Sequence, residues 1–264
     1  MQYQRVTLST GVPMDIYVPD PTTADPARRP GILICPGGGY THLAAHEGEC
    51  VALRFAGLGF NAYVVRYSRA PEARYPRNVQ DVACAVAHIR ANAQAYGQRP
   101  DAIAVLGFSA GGHVAGTLGT QWPNAGLWSP LGLTCEQVKP NAMALCYPVI
   151  SGGEFAHRDS FRQLTGADDP LRHQDFSLEN LVTAQTVPAF LWHTWEDAAV
   201  PVENTLLMAM ALRRHGVQAE AHIYPHGPHG SSLCDDSIGR PDKVIHEAQD
   251  WPYLAARFLK DVMG

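Results

Sequence analysis

The 264-residue chain has no uninterrupted run of about eighteen apolar residues, so no part of it is expected to span a membrane. It is also sparing with charge. Charged residues make up 17%, the net charge is −5, and no long basic run occurs. That combination argues against a nucleic-acid or anionic-membrane partner. The start, MQYQRVTLST, lacks the basic and apolar regions of a signal peptide, so the chain reads as cytoplasmic. No C-x-x-C pair occurs among the six cysteines, Cys35, Cys50, Cys84, Cys135, Cys146 and Cys234. Several stand in apolar, strand-like runs, where a thiol acts as a small hydrophobe. Buried free thiols in a reducing compartment are therefore expected. Internal repeats and low-complexity tracts are missing too. A hydrophobic content of 46% excludes disorder and suffices for one sizeable core.

What the chain does have is alternation. Short apolar runs read as strands at 31–35, 60–65, 102–106, 143–147, 189–194 and 219–224. Before them, YQRVTL and MDIYV flank the turn signal STGVP and read as an antiparallel hairpin. Between the later runs lie helical patterns. The strongest is 78–96, where Val79, Val82, Val86, Ile89, Ala93 and Tyr96 form one apolar stripe and Gly97 follows as a stop. Weaker helix patterns cover 204–215 and 246–262. Near-continuous apolar strands alternating with helices predict an α/β protein: a mostly parallel sheet of about eight strands, with helices on both faces.

The proline-rich stretch 19–30 reads as a surface loop, since too little chain precedes it to form a domain. A single domain over 1–264 is expected. Residues 121–180 break the rhythm with Trp, Pro, Gly and Asp, and read as an irregular insertion forming a small lid or rim.

The stretch AIAVLGFSAGGH (102–113) carries the chemistry. Its order is strand, sharp turn, helix, the setting in which G-x-S-x-G marks a nucleophile elbow. Gly107 and Gly111 would let strand and helix backbones approach, and Ser109 would project at the carboxyl edge of the sheet, where open α/β sheets bind ligands. The bland alternative is that the glycines only pack helix against strand. A serine also needs a base, and the base an orienting carboxylate. Asp197 follows the run AFLWHT and His229 lies in a glycine-rich loop after the next run. All three sit at carboxyl ends of strands, in the chain order Ser, Asp, His.

Other residues compete for these roles. His226 is the rival base and Glu196 the rival acid. His222, His226 and His229 invite a metal reading, but no carboxylate or cysteine nearby completes a ligand set, so no metal is expected. His113 reads as a packing residue and His193 as a core histidine inside a strand. The loop CPGGGY (35–40) supplies the last part. Consecutive glycines bare backbone N–H groups for the negative charge that develops on a carbonyl oxygen in acyl transfer. The expected donors are Ala110 and either Gly38 or Gly39, with Tyr40 a further candidate. A phosphate loop fits less well, because the G-x-G-x-x-G spacing and a Lys-Ser/Thr ending are missing.

These motifs resemble the α/β-hydrolase esterases, and more closely the compact bacterial acetyl-esterase and xylan-esterase-like proteins. The matching stretches are CPGGGY, RYSRAPEARYP, DVACAVAHIRANAQAYG, VLGFSAGGHVAG, FAHRDSFRQLTG, FLWHTWEDAAVPVENT and YPHGPHG. Hormone-sensitive-lipase-like relatives carry His where this chain has Pro36, and their N-terminal cap is not evident here. The resemblance implies an α/β-hydrolase fold and a hydrolase of small esters, often acetyl groups on sugars. It implies Ser109, Asp197 and His229 as catalytic residues, with no cofactor. Tyr40 and Trp195 are the candidate substrate-binding aromatics; Tyr67, Trp122 and Trp128 could equally stack on sugars or fill core and rim. The alternatives are a serine peptidase of the prolyl-oligopeptidase-like class and a non-catalytic binding protein on the same fold. A peptidase of that class usually adds a second domain, for which 264 residues leave no room.

Overall fold

The computed structural model describes residues 1–20 and 29–264. Most of the expected 19–30 loop, residues 21–28, lies outside the described residues. Eight strands form one sheet in the order β1-β2-β4-β3-β5-β6-β7-β8. β1 (Gln2–Thr7) and β2 (Pro13–Val18) make the expected hairpin, and β2 pairs antiparallel with β4 (Asn61–Val65). All remaining pairs are parallel: β3 (Arg29–Cys35), β5 (Gln98–Phe108), β6 (Ala142–Cys146), β7 (Ala189–Thr194) and β8 (Ala219–Tyr224) follow β4 across the sheet.

The pleat sends alternate side chains of the central strands into two separate cores. On β5, Ile103 and Val105 join one cluster, while Ala102, Ala104 and Leu106 join the other. The first cluster is closed by α2 (Arg77–Ala91), α3 (Ala110–Gln121) and, beyond a shorter α4 (Arg158–Thr165), by α5 (Glu203–Arg214). The second is closed by α1 (Glu49–Gly57) and α6 (Trp251–Met263). Helices thus cover both faces, and every parallel strand but the edge strand β8 is wholly or mostly buried.

Two helix boundaries depart from the periodicity. The stripe over 78–96 outruns α2, which ends at Ala91. There the Asn92 side-chain amide joins its own N–H on the His88 carbonyl, and the next bond tightens to i−3, Ala93 N–H donating to the Arg90 carbonyl at 3.4 Å. The pattern over 246–262 begins as a single tight turn at His246–Ala248, and α6 proper starts only at Trp251, with Pro252 in its first turn. The reading of 121–180 as an irregular insertion also needs correction. This span contains β6, a fully buried strand in the middle of the sheet. The irregular part that borders the site is the connection from β6 to β7, which carries α4.

The elbow glycines are required by close approach. A Cβ on Gly107 would stand 2.2 Å from the Gly111 carbonyl oxygen, and one on Gly111 would stand 2.1 Å from that of Cys35. Both obstacles are backbone and cannot rotate away. Gly111→Ala should therefore cost at least about 2 kcal/mol by overpacking. The check is a urea midpoint, and a variant as stable as wild type would show that the strand–helix contact has slack.

Candidate active site

Ser109 sits between β5 and α3 with φ +52° and ψ −121°, a conformation rare for a residue with a side chain. Its neighbours hold it there. The Ser109 N–H donates to the Cys146 carbonyl at 3.0 Å, and its own carbonyl accepts from Val149 N–H at 3.0 Å. Such strain persists only where the surroundings over-determine it.

The three candidates for nucleophile, base and acid come together. The Ser109 hydroxyl donates to His229 Nε2 at 2.8 Å. His229 Nδ1 lies 2.6 Å from Asp197 Oδ2. A carboxylate only accepts, so the proton belongs on Nδ1 and Nε2 is left free to receive one from serine. Asp197 Oδ1 accepts from the backbone N–H groups of Ala199 and Val200, both at 2.9 Å. Burial pushes the Asp197 carboxyl up, but hydrogen bonds from His193 and His229 more than offset it and hold it well below the usual carboxylate range. The rival residues are engaged elsewhere. His226 is exposed and bonded to Glu247 at 3.0 Å, and the exposed Glu196 accepts, among the described residues, only a long 3.4 Å bond from Gly227 N–H.

A cavity of about 660 Å³ opens over this group. Gly38, Gly39, Ser109 and His229 all line it, together with His157, Asp159, Gln163, Arg240 and Lys243. Gly38 and Gly39 have φ of +123° and +61°, so the loop takes a course that suits glycine. Among the described residues, no protein group accepts a hydrogen bond from the N–H of Gly38, Gly39 or Ala110. These donors are unengaged, as an oxyanion site requires.

Tyr40 has to be corrected as a substrate-binding candidate. Its side chain is 2% exposed and is absent from the cavity wall. Its hydroxyl donates to His113 Nδ1 at 2.8 Å, while His113 Nε2–H donates to the Phe176 carbonyl at 2.9 Å. Burial lowers the His113 pKa to about 4, so the pair is a neutral tie between the glycine loop, α3 and the β6–β7 connection. Trp195 is 61% exposed and stands outside the cavity wall. Tyr67 and Trp128 are fully buried, and Trp122 nearly so.

Three participants escaped sequence reasoning. His193 does more than fill the core. Its Nε2 faces two acceptors, Asp197 Oδ2 at 3.1 Å and the Val200 carbonyl at 2.9 Å, while Nδ1 accepts from Thr205 at 2.8 Å. It therefore braces Asp197 at Oδ2, the same oxygen that His229 uses. The signal was present: a lone polar residue in an apolar strand, four residues before the acid. His157 caps α4 and lines the cavity, and burial depresses its pKa. Glu47, buried beside the glycine loop, belongs to no motif that a single sequence reveals.

Fold and site together define an α/β-hydrolase with a serine elbow, a histidine and an aspartate gathered at one sheet edge. The chain belongs to the family described as BD-FAE, whose profile matches residues 14–212. An endo-1,4-beta-xylanase B of Butyrivibrio fibrisolvens is 38% identical over 220 residues, 81% of this chain and 34% of that protein. An acetylxylan esterase of Xylanibacter ruminicola is 33% identical over 206 residues, 75% of this chain and 40% of that protein. The chain thus spans only about a third to two-fifths of the length of these curated relatives. Among solved structures, an acetyl ester-xyloside bifunctional hydrolase from Caldicellulosiruptor lactoaceticus matches with TM-score 0.81 and 37% identity, over 96% of this chain and 88% of that one. The carboxylesterase Cest-2923 from Lactobacillus plantarum matches with TM-score 0.88 and 29% identity, over 99% and 98%. Among the described residues, no helix is long and apolar enough to cross a membrane.

Proposed function

We propose that the chain hydrolyses short-chain carboxylic esters, foremost acetyl esters of sugars or xylo-oligosaccharides, through an acyl-enzyme on Ser109. The observation that carries this reading is His229 placed between Ser109 and Asp197, at 2.8 Å and 2.6 Å, beneath an open cavity. The names of the relatives and neighbours, acetylxylan esterase and carboxylesterase among them, support the same class.

Ser109 Oγ attacks the ester carbonyl carbon as its proton passes to His229 Nε2. The oxyanion is held by N–H groups of Ala110 and Gly38 or Gly39. Collapse breaks the bond to the alcohol, which leaves with the proton from His229. Water then attacks the acyl-serine, giving its proton to the same nitrogen, and the acid departs. Asp197 keeps the imidazole in the required tautomer and stabilises its charged form. The steps use side chains, backbone donors and water, with no metal or cofactor. A cytoplasmic location is part of this reading, supported by six free cysteines, four of them buried.

The cavity wall favours small, polar substrates. Thr41, His42, Gln163, Arg240 and Lys243 line it, and among the described residues Ala44 is its sole aliphatic side chain. A long acyl chain would find few aliphatic side chains to pack against, while sugar hydroxyls would find donors and acceptors. With p-nitrophenyl esters from C2 to C12, kcat/KM should peak at C2 and fall at least tenfold by C8. Acetylated xylo-oligosaccharides should release acetate. A maximum at C8 or beyond would overturn the substrate assignment.

A further inference from the structure

Glu47 is a buried carboxylate, 2% exposed, in a single-turn helix that follows the glycine loop. Among the described residues it has no cationic partner; two neutral donors from different loops hold it instead. Gly37 N–H donates to Oε2 at 2.7 Å, and the Tyr147 hydroxyl donates to Oε1 at 2.7 Å. The first bond belongs to the loop that carries the unengaged N–H groups of Gly38 and Gly39. The second leads to the histidine. Tyr147 follows β6, and its hydroxyl accepts from Ser232 N–H at 2.8 Å, three residues beyond His229. Its ring stands edge-on to the His229 ring, 5.0 Å between centroids. The adjacent His46 strengthens the same link, donating to the Gly230 carbonyl at 3.0 Å and accepting from the Ser232 hydroxyl through its own carbonyl.

We infer that Glu47 is a positioning residue whose carboxylate fixes the distance between the oxyanion loop and the loop of His229. The inference rests on the ester-hydrolase reading above. A carboxylate suits the task because it only accepts, and its two oxygens sit on one rigid plane. One oxygen takes Gly37 N–H from the oxyanion loop and the other takes the Tyr147 hydroxyl, which itself receives Ser232 N–H from the His229 loop, so the two loops cannot drift apart without breaking a buried bond. The spacing matters at the nucleophile itself. Gly37 lies so close that a Cβ on it would stand 2.8 Å from Glu47 Oε2 and 3.0 Å from Ser109 Cβ. Burying an unpaired carboxylate is unfavourable, and apolar packing could fill the same volume at lower cost. What an apolar residue cannot do is hold two donors in register, and transition-state donors lose their value with small displacements.

Glu47→Gln tests this with almost no change of shape. The amide has a single acceptor oxygen. If that oxygen serves Gly37, the NH₂ group meets the Tyr147 hydroxyl, whose proton loses its acceptor. If it serves Tyr147, the Gly37 N–H is orphaned. Tyr147→Phe is the second variant; it keeps the ring against His229 and removes the hydroxyl. Competent sites are counted by burst titration with p-nitrophenyl acetate, and kcat and KM are measured per titrated site, so that misfolded protein does not enter. Glu47→Gln should bring kcat below one fifth of wild type, with KM within threefold. The double variant should then lie within twofold of the slower single variant, because both act through one chain of bonds. A Glu47→Gln kcat at or above one fifth of wild type overturns the inference, as does a loss confined to KM. Multiplying losses in the double variant also overturn it. If either variant fails to fold, the other carries the same kcat threshold. Wild type without a titratable serine would sink the ester-hydrolase reading itself, an outcome distinct from any of these.

Discussion

Ser109→Ala should lower kcat for p-nitrophenyl acetate by on the order of 10⁶-fold, with KM changed only a few-fold. The hydroxyl is the atom proposed to form the acyl bond, and no neighbouring nucleophile stands where it stands. His229 would keep its bond to Asp197 and could still activate water, so a residue of catalysis over the uncatalysed reaction should survive. Stability should hardly move. The residue is 8% exposed at the cavity floor, and among the described residues its Oγ bonds only to His229. The backbone strain at φ +52° is unchanged in alanine, since both residues carry a Cβ. Ser109→Gly separates the two effects. It loses the nucleophile equally but occupies this conformation without strain, which offsets its greater unfolded-state entropy. Hydrolysis by Ser109→Ala within tenfold of wild type would remove Ser109 from the mechanism.

Some of this architecture was readable in one sequence because it obeys short-range rules. The strands at 189–194 and 219–224 match their apolar runs residue for residue, since a strand covered on one or both faces has little choice of composition. The elbow was legible because Gly107, Ser109 and Gly111 fit a local geometry that few other sequences satisfy. What escaped was set by distant chain segments. The place of Tyr40 in the glycine loop predicts contact with substrate, but α3 places His113 behind that loop and draws the hydroxyl inward. The end of α2 is a local exception, a tightening of the last turn at Ala93 that periodicity does not register. Glu47 meets Gly37 ten residues away and Tyr147 a hundred residues away, and nothing in its immediate sequence announces either contact.

Adjacent acidic residues make the sharpest test of the proposed triad. Asp197→Asn should lower kcat by about 10⁴-fold, while Glu196→Gln should change it by less than about tenfold. The argument turns on where the new amide can point. Asp197 Oδ1 accepts from Ala199 and Val200 N–H groups, so the asparagine oxygen is drawn to that side. Its NH₂ group then faces His229 Nδ1 and His193 Nε2, two positions that now bear protons. His193 can turn its proton wholly to the Val200 carbonyl at 2.9 Å. His229 has no such alternative. To accept from the amide it must move its proton to Nε2, the nitrogen that faces Ser109 Oγ, and that nitrogen can no longer receive the serine proton. The geometry survives and the wrong tautomer is enforced, which is why the loss is large although the change is nearly isosteric. Glu196 has none of this leverage: it is exposed, and its single long bond goes to Gly227 N–H. Both variants should be assayed on one ester at one pH after circular dichroism shows each folded. If Glu196→Gln is the crippled variant, the acid is Glu196, and the 2.6 Å contact to His229 is structural only. If neither is crippled, His229 does not depend on a carboxylate at this strand end and the triad fails at its third member.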